Sequence, residues 1–247
     1  MPTVEEYRRT LRTLAEWEPF LLAESRLPGP RANLELIHAA ADLADEALLE
    51  RFAAVEASAD SPRLFLLLCG TVGLGRLLAQ GRTSPLPTLR RLADDGRWRL
   101  REAVAMALQR WGAADMPALL AEMRAWAQGT PLEQRAAVAA LCEPALLREP
   151  AHALAVLDLL HTVTASIPRA AQRQGEPFRA LRQTLGYGWS VAVAALPSEG
   201  RRRMEHWLPH HDRDIRWIMR ENLRKNRLAR LDPAWVARCQ ERLSLPG

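Results

Sequence analysis

Arg101-Glu102-Ala103-Val104-Ala105-Met106-Ala107 recurs as Arg135-Ala136-Ala137-Val138-Ala139-Ala140-Leu141, 34 residues later. Around the first copy, Asp94-Asp95-Gly96-Arg97-Trp98-Arg99-Leu100-Arg101 is echoed by Asp212-Arg213-Asp214-Ile215-Arg216-Trp217. Arg63, Arg101, Arg135, Arg179 and Arg216 each stand near the start of a Leu/Ala-rich segment, at separations of 38, 34, 44 and 37. A period of this length, built from two helices, is the signature of a helical repeat array. A single helical hairpin cannot bury its own apolar face, so neighbours stack.

Composition agrees with that reading. Leu and Ala each occur 41 times among 247 residues, against 24 for Val, Ile and Thr together. Unbranched helix formers therefore dominate over strand formers, and the fold class expected is all-α. Turn residues divide the chain into helices near 3–17, 31–43, 45–57, 62–80, 85–93, 97–111, 115–128, 131–142, 150–164, 176–195, 199–208, 212–227 and 232–243. Asp115, Thr130, Ser198 and Asp232 are expected N-caps.

The pattern Asp-x-x-x-x-Leu-Arg-x-Ala-Val-x-x-Ala-Leu at 95–108 resembles the second-helix signature of HEAT repeats, with weaker likenesses at 131–142 and 212–223. The resemblance implies a right-handed α-solenoid of five or six antiparallel hairpins, a single domain over 1–247. Residues 1–90 match poorly and read as divergent N-terminal hairpins, and 91–247 as clearer repeats. It also implies that Asp95, Arg101, Arg135 and Arg216 form a structural ladder between neighbouring repeats.

Charge is unevenly placed. Residues 1–200 hold 22 Arg and 23 acidic residues, whereas 201–247 hold 12 basic and 6 acidic ones. Arg213, Arg216, Arg220, Arg224 and Arg227 would fall within about 80° on one continuous helix, with Ile215, Ile218, Met219 and Leu223 opposite. With Trp217 at the border, and Arg201 and Arg202 opening the preceding helix, this is a candidate polyanion-binding face. The plain alternative is a solvated helix face. Lys225 is the only lysine, so arginine identity reflects a chain-wide preference and only its clustering carries weight.

Other motifs point to less. His206, His210 and His211 beside Asp212 are metal-ligand types, but Pro209 breaks the helical spacing and no metal is expected. Gly70-x-x-Gly73-x-Gly75 reverses the dinucleotide fingerprint; its glycines read better as points where a neighbouring helix approaches. Gly186-Tyr187-Gly188 reads as a kink, or else as a contact point. Trp98, Trp189 and Trp217 are candidates for a binding surface. No nucleophile–base pair is evident, so no catalytic residue and no cofactor is expected, and the chain reads as non-enzymatic.

The segment 212–243 also has some likeness to the closing repeats of HEAT-like alkylpurine DNA glycosylases. That group implies an acid flanked by tryptophans in a DNA-binding cleft; Glu122 with Trp126 is the nearest arrangement here, and a poor match. No residues support the tetrapyrrole chemistry of other HEAT-like proteins. The function expected is a scaffold binding a macromolecular partner, a protein, on its concave face, with nucleic acid as the alternative. Cys69, Cys142 and Cys239 lie far apart and suggest reduced core residues. No stretch is expected to span a membrane, which places the chain in the cytoplasm.

Overall fold

The computed structural model describes residues 2–244, which contain fifteen α-helices and no strand. They divide into two compact units, 1–114 and 115–247.

The first unit holds α1 (Val4–Thr13), α2 (Glu18–Glu24), α3 (Leu34–Leu43), α4 (Glu46–Ala53), α5 (Leu64–Ala79), α6 (Leu86–Ala93) and α7 (Trp98–Ala114). Alternate helices pack side by side: α1 on α3, α3 on α5 and α5 on α7, while α4 lies on α5 and α6 on α7. At the centre of this unit is α5, whose Leu64, Phe65, Leu66, Leu67 and Leu68 are all at most 2% exposed. Burying each such side chain contributes roughly 1.5–3 kcal/mol. Its apolar character all round is what a helix enclosed by α3, α4 and α7 requires.

The second unit holds α8 (Met116–Trp126), α9 (Pro131–Leu141), α10 (Pro150–Ser166), α11 (Glu176–Ala195), α12 (Pro197–Glu205), α13 (Arg213–Leu223), α14 (Asn226–Leu231) and α15 (Pro233–Ser244). One layer runs α9, α11, α13, α15, each packed on the next; a second runs α8, α10, α12. The paired helices α8 and α9, and α10 and α11, join the layers.

The expected glycine contacts are present. A Cβ on Gly70 would stand 2.7 Å from the carbonyl carbon of Phe52 in α4, and one on Gly75 would stand 2.6 Å from the Ala107 Cα in α7. At Gly186 and Gly188 the favoured reading, a kink, gives way to its alternative: α11 runs unbroken, Gly186 faces Trp217 and Gly188 faces Val138 and Cys142, so both are contact points.

Several boundaries differ from expectation. The first helix ends at Thr13, and α2 fills a segment read as loop. Ser198 lies inside α12, which begins at Pro197. Asp115, Thr130 and Asp232 do cap, accepting from the backbone N–H of Ala118 (3.0 Å), Glu133 (3.2 Å) and Trp235 (2.9 Å).

The expected absence of a membrane-length stretch is corrected by α10. With the following turn it forms a 20-residue segment, Pro150–Arg169, of mean hydropathy 1.2. Ala153, Val156, Leu157, Leu160 and Val163 of this helix are buried, and it packs on α8, α9, α11 and α12, so the fold itself accounts for its apolar face. All three cysteines are free and buried. Burial pushes the thiol of Cys142 up to about 12 and that of Cys239 to about 11, so neither is a ready nucleophile.

Asp95 anchors the turn before α7. Its carboxylate accepts from the Arg97 side chain at 2.8 Å and from the Arg97 backbone N–H, which hold it below the usual carboxylate range. A depressed folded value stabilises the fold above the unfolded pKa, near 4, and that stability disappears as pH falls through the folded value. Acid titration followed by circular dichroism is therefore expected to show an unfolding limb below about pH 4 that Asp95→Asn diminishes.

Candidate functional sites

The five arginines do not lie on one continuous helix. The single helix expected over 212–227 ends at Leu223; Arg224 closes it, Lys225 is extended, and α14 starts at Asn226. Leu228 explains the break. On a continuous helix it would lie about 40° from Arg224, on the charged side. The turn lets it bury completely.

Four of the cationic side chains of 201–247 are held by acids of the same unit. Arg201 pairs with Asp232 at 2.7 Å and lies over the Trp235 ring. Arg202 and Arg203 both bind Glu199, Arg203 also binds Asp158, and Arg224 pairs with Glu221 at 2.9 Å. Together the two arginines hold the Glu199 carboxyl down to about 2. Because α12 begins at Pro197, Arg202 and Arg203 occupy its last turn, where they complement the helix dipole rather than oppose it.

Arg216 donates to the carbonyl of Leu243. Arg213 is exposed, with Asp214 3.8 Å away. Arg220, Arg227, Arg230, Arg238 and Arg242 are exposed, and no ion pair for any of them occurs among the described residues. Trp217 is half-buried: Arg182 covers its ring at 4.4 Å and Gly186 backs it. Its faces serve the α11–α13 contact. Beneath this surface, Asp214 is buried and accepts from Arg182 at 2.7 Å and Arg173 at 3.3 Å.

The histidines come together differently from the sequence grouping. His161 of α10 lies 4.9 Å from the Trp207 ring and 5.4 Å from His206, and His210 flanks Trp207 on another side at 5.8 Å. Among the described residues no group of three His, Cys, Asp or Glu is placed to hold a metal ion. Burial, then His206 and Arg203, hold the His161 pKa below its ordinary value; burial and Arg110 do the same for His38 in the first unit.

A histidine with a depressed folded value is protonated first in the unfolded chain, so stability falls as pH drops below about 6.5. Ring-proton NMR is expected to give both histidines midpoints below that value. His161→Gln should flatten the dependence of the unfolding midpoint between pH 7.5 and the folded value.

Glu122 accepts from the indole N–H of Trp126 at 2.8 Å, and Trp126 is completely buried. This is an i,i+4 packing pair rather than an acid flanked by ring faces in a cleft. Trp189 is likewise fully buried and donates to the Thr164 hydroxyl at 3.0 Å.

Trp98, by contrast, is 53% exposed, and with Leu34 (50%) it borders a cleft of about 540 Å³ in the first unit. Leu68 and Val72 of α5 contribute to its lining, together with residues of α3 and α7 and of the segment 26–32. Arg99 lies over the Trp98 ring at 4.6 Å and donates to the carbonyl of Gly29 at 2.9 Å, tying that segment down. Sequence reading found Trp98 but missed the cleft; the turn Leu27-Pro28-Gly29-Pro30 was the available signal.

Comparison with known proteins returned no matching family model, no matching curated protein and no matching solved structure.

Proposed function

We propose that the chain is a HEAT-like helical-repeat scaffold, non-enzymatic, that binds a protein partner. Support for the repeat reading comes from the packing of alternate helices within each unit, α1–α3–α5–α7 and α9–α11–α13–α15. The partner class rests on one observation. Acids of the chain itself neutralise Arg173, Arg182, Arg201, Arg202, Arg203 and Arg224, leaving a surface of mixed charge where a phosphate-tracking face would be uniformly cationic. Exposed Trp98, Leu34 and Leu154 add the isolated apolar anchors that protein interfaces favour.

Nucleic acid is the second reading, favoured by exposed Arg220 and Arg227 with Arg213 nearby on α13. Arg230, Arg238 and Arg242 are likewise exposed with no ion pair among the described residues, so five guanidiniums are available, at the low end of the 6–10 or so phosphate contacts that make binding strongly salt-dependent.

Affinity purification of the tagged chain from its own cells, with and without nuclease, separates the two readings. A discrete protein that survives nuclease treatment and re-forms a one-to-one complex from purified components supports the scaffold. Recovery of nucleic acid alone, or loss of every partner with nuclease, contradicts it.

A further inference from the structure

The cleft of the first unit has features that partner docking does not explain. Its floor is apolar: Ile37, Leu68 and Val72 are at most 2% exposed, and Ala103 continues that surface on α7. Its volume, about 540 Å³, lies within the roughly 300–1,000 Å³ typical of small-molecule sites.

The polar groups at the cleft are few and mostly cationic. Arg26, Arg31 and Arg99 line it against Glu35 and Glu102. Arg26 and Arg31 are exposed, and no ion pair for either occurs among the described residues. Glu35 lies near enough to His38 to favour its protonated form, and Glu102 is itself engaged within the fold.

Arg99 is the decisive residue. Its guanidinium is fixed from two directions, by the Trp98 ring at 4.6 Å and by the Gly29 carbonyl at 2.9 Å. Its Nε is buried and has no hydrogen-bond partner. Arg182 and Arg201, also stacked over Trp rings, have the same unpartnered Nε. What sets Arg99 apart is that its fixed guanidinium lines the cleft, where a pre-positioned cation favours an anionic acceptor.

We propose that this cleft binds a small organic acid with an apolar chain, the chain lying on α5 and the carboxylate meeting Arg99, with Arg31 adding charge at the rim. The apolar floor disfavours a phosphorylated or sugar-like ligand, whose many polar groups would lose water without replacement. The cationic excess disfavours an amine. This inference goes beyond the scaffold reading and stands or falls separately from it.

Isothermal titration calorimetry with decanoate, kept below its micelle concentration, tests the proposal; decan-1-ol and decyltrimethylammonium are the comparison probes. Decanoate is expected to bind one-to-one, about tenfold or more tighter than the alcohol, and the ammonium probe not at all. Arg99→Met should bring decanoate to the affinity of the alcohol, and Arg31→Gln should weaken it several-fold while leaving the helical circular dichroism unchanged. Ala32→Trp, which intrudes on the cleft from its half-exposed lip, should abolish binding of both. Absence of decanoate binding, equal affinity for acid and alcohol, or an undiminished preference for the acid in both arginine variants would overturn it. Arg31 is exposed, so its variant keeps the test decisive even if Arg99→Met fails to fold.

Discussion

Gly75→Ala is expected to destabilise the first unit by about 3 kcal/mol or more, at the upper end of overpacking costs. The new methyl would stand 2.6 Å from the Ala107 Cα and the same distance from its carbonyl carbon, both backbone atoms of α7. No rotamer change can relieve such a clash; α5 and α7 must move apart, exposing apolar surface along their shared length. Gly70→Ala should behave similarly, because its methyl would meet the α4 backbone at Phe52 and the Leu49 carbonyl oxygen, 2.7 and 2.8 Å away.

In a solvated helix the same change stabilises by up to about 1 kcal/mol, so the sign itself is diagnostic. Gly96, whose Cβ would meet nothing within 4 Å, is the internal control: Gly96→Ala should be neutral or stabilising by a few tenths of a kcal/mol. Thermal unfolding by circular dichroism reads all three. At roughly 4–8 °C per kcal/mol for a unit of this size, the two core variants should lose more than about 10 °C.

Asn222→Leu is the second large effect expected. Asn222 is completely buried between α13 and α11. Its amide donates to the carbonyls of Leu185 and Ile218, each at 2.8 Å, and its oxygen accepts from the Ser190 N–H at 2.8 Å. The side chain thus satisfies backbone groups of α11 beside Gly186 and Gly188. Leucine has the same branched shape but is larger, and it leaves the Ser190 N–H and the Leu185 carbonyl with one partner fewer in a dry interface, at about 1–3 kcal/mol per group left unsatisfied. A loss of about 3 kcal/mol is expected in urea unfolding, seen as a lower midpoint with an unchanged slope. A midpoint that does not move would mean that these groups reach water.

The helices were legible because their signals are local. Pro and Asp at helix starts, and unbroken Leu/Ala periodicity, place most of the long elements within a few residues, and the Gly70-Gly73-Gly75 spacing pointed correctly to close helix approach. The short elements failed for an equally physical reason: α2 and α14 have seven and six residues, too few for a periodic pattern to emerge.

The candidate sites were less legible because they depend on which residues meet. The arginine stripe looked continuous on a helical wheel; what broke it was Leu228, whose burial outweighs continuing one helix. Trp217 looked available, but Arg182 and Gly186 reach it from α11, 35 and 31 positions earlier. The neutralising pairs Arg201–Asp232 and Arg203–Asp158 span 31 and 45 positions, distances over which a single sequence carries no pairing signal. The same holds for the cleft, where Arg99 meets Gly29 across 70 positions.

The central proposal is that the basic C-terminal helices, partly paired with acids of the chain itself, belong to a protein-binding scaffold and are not a polyanion surface. Fluorescence anisotropy with labelled duplex DNA, single-stranded DNA and RNA between about 50 and 300 mM salt tests it most directly. The control changes Arg213, Arg220, Arg224 and Arg227 to Glu. The expected result is weak binding at the lowest salt, with a shallow slope corresponding to a few phosphate contacts, weakened further in the variant. Tight binding that falls with a slope of six or so contacts, and vanishes in the variant, would contradict the claim and make this chain a nucleic-acid-binding protein.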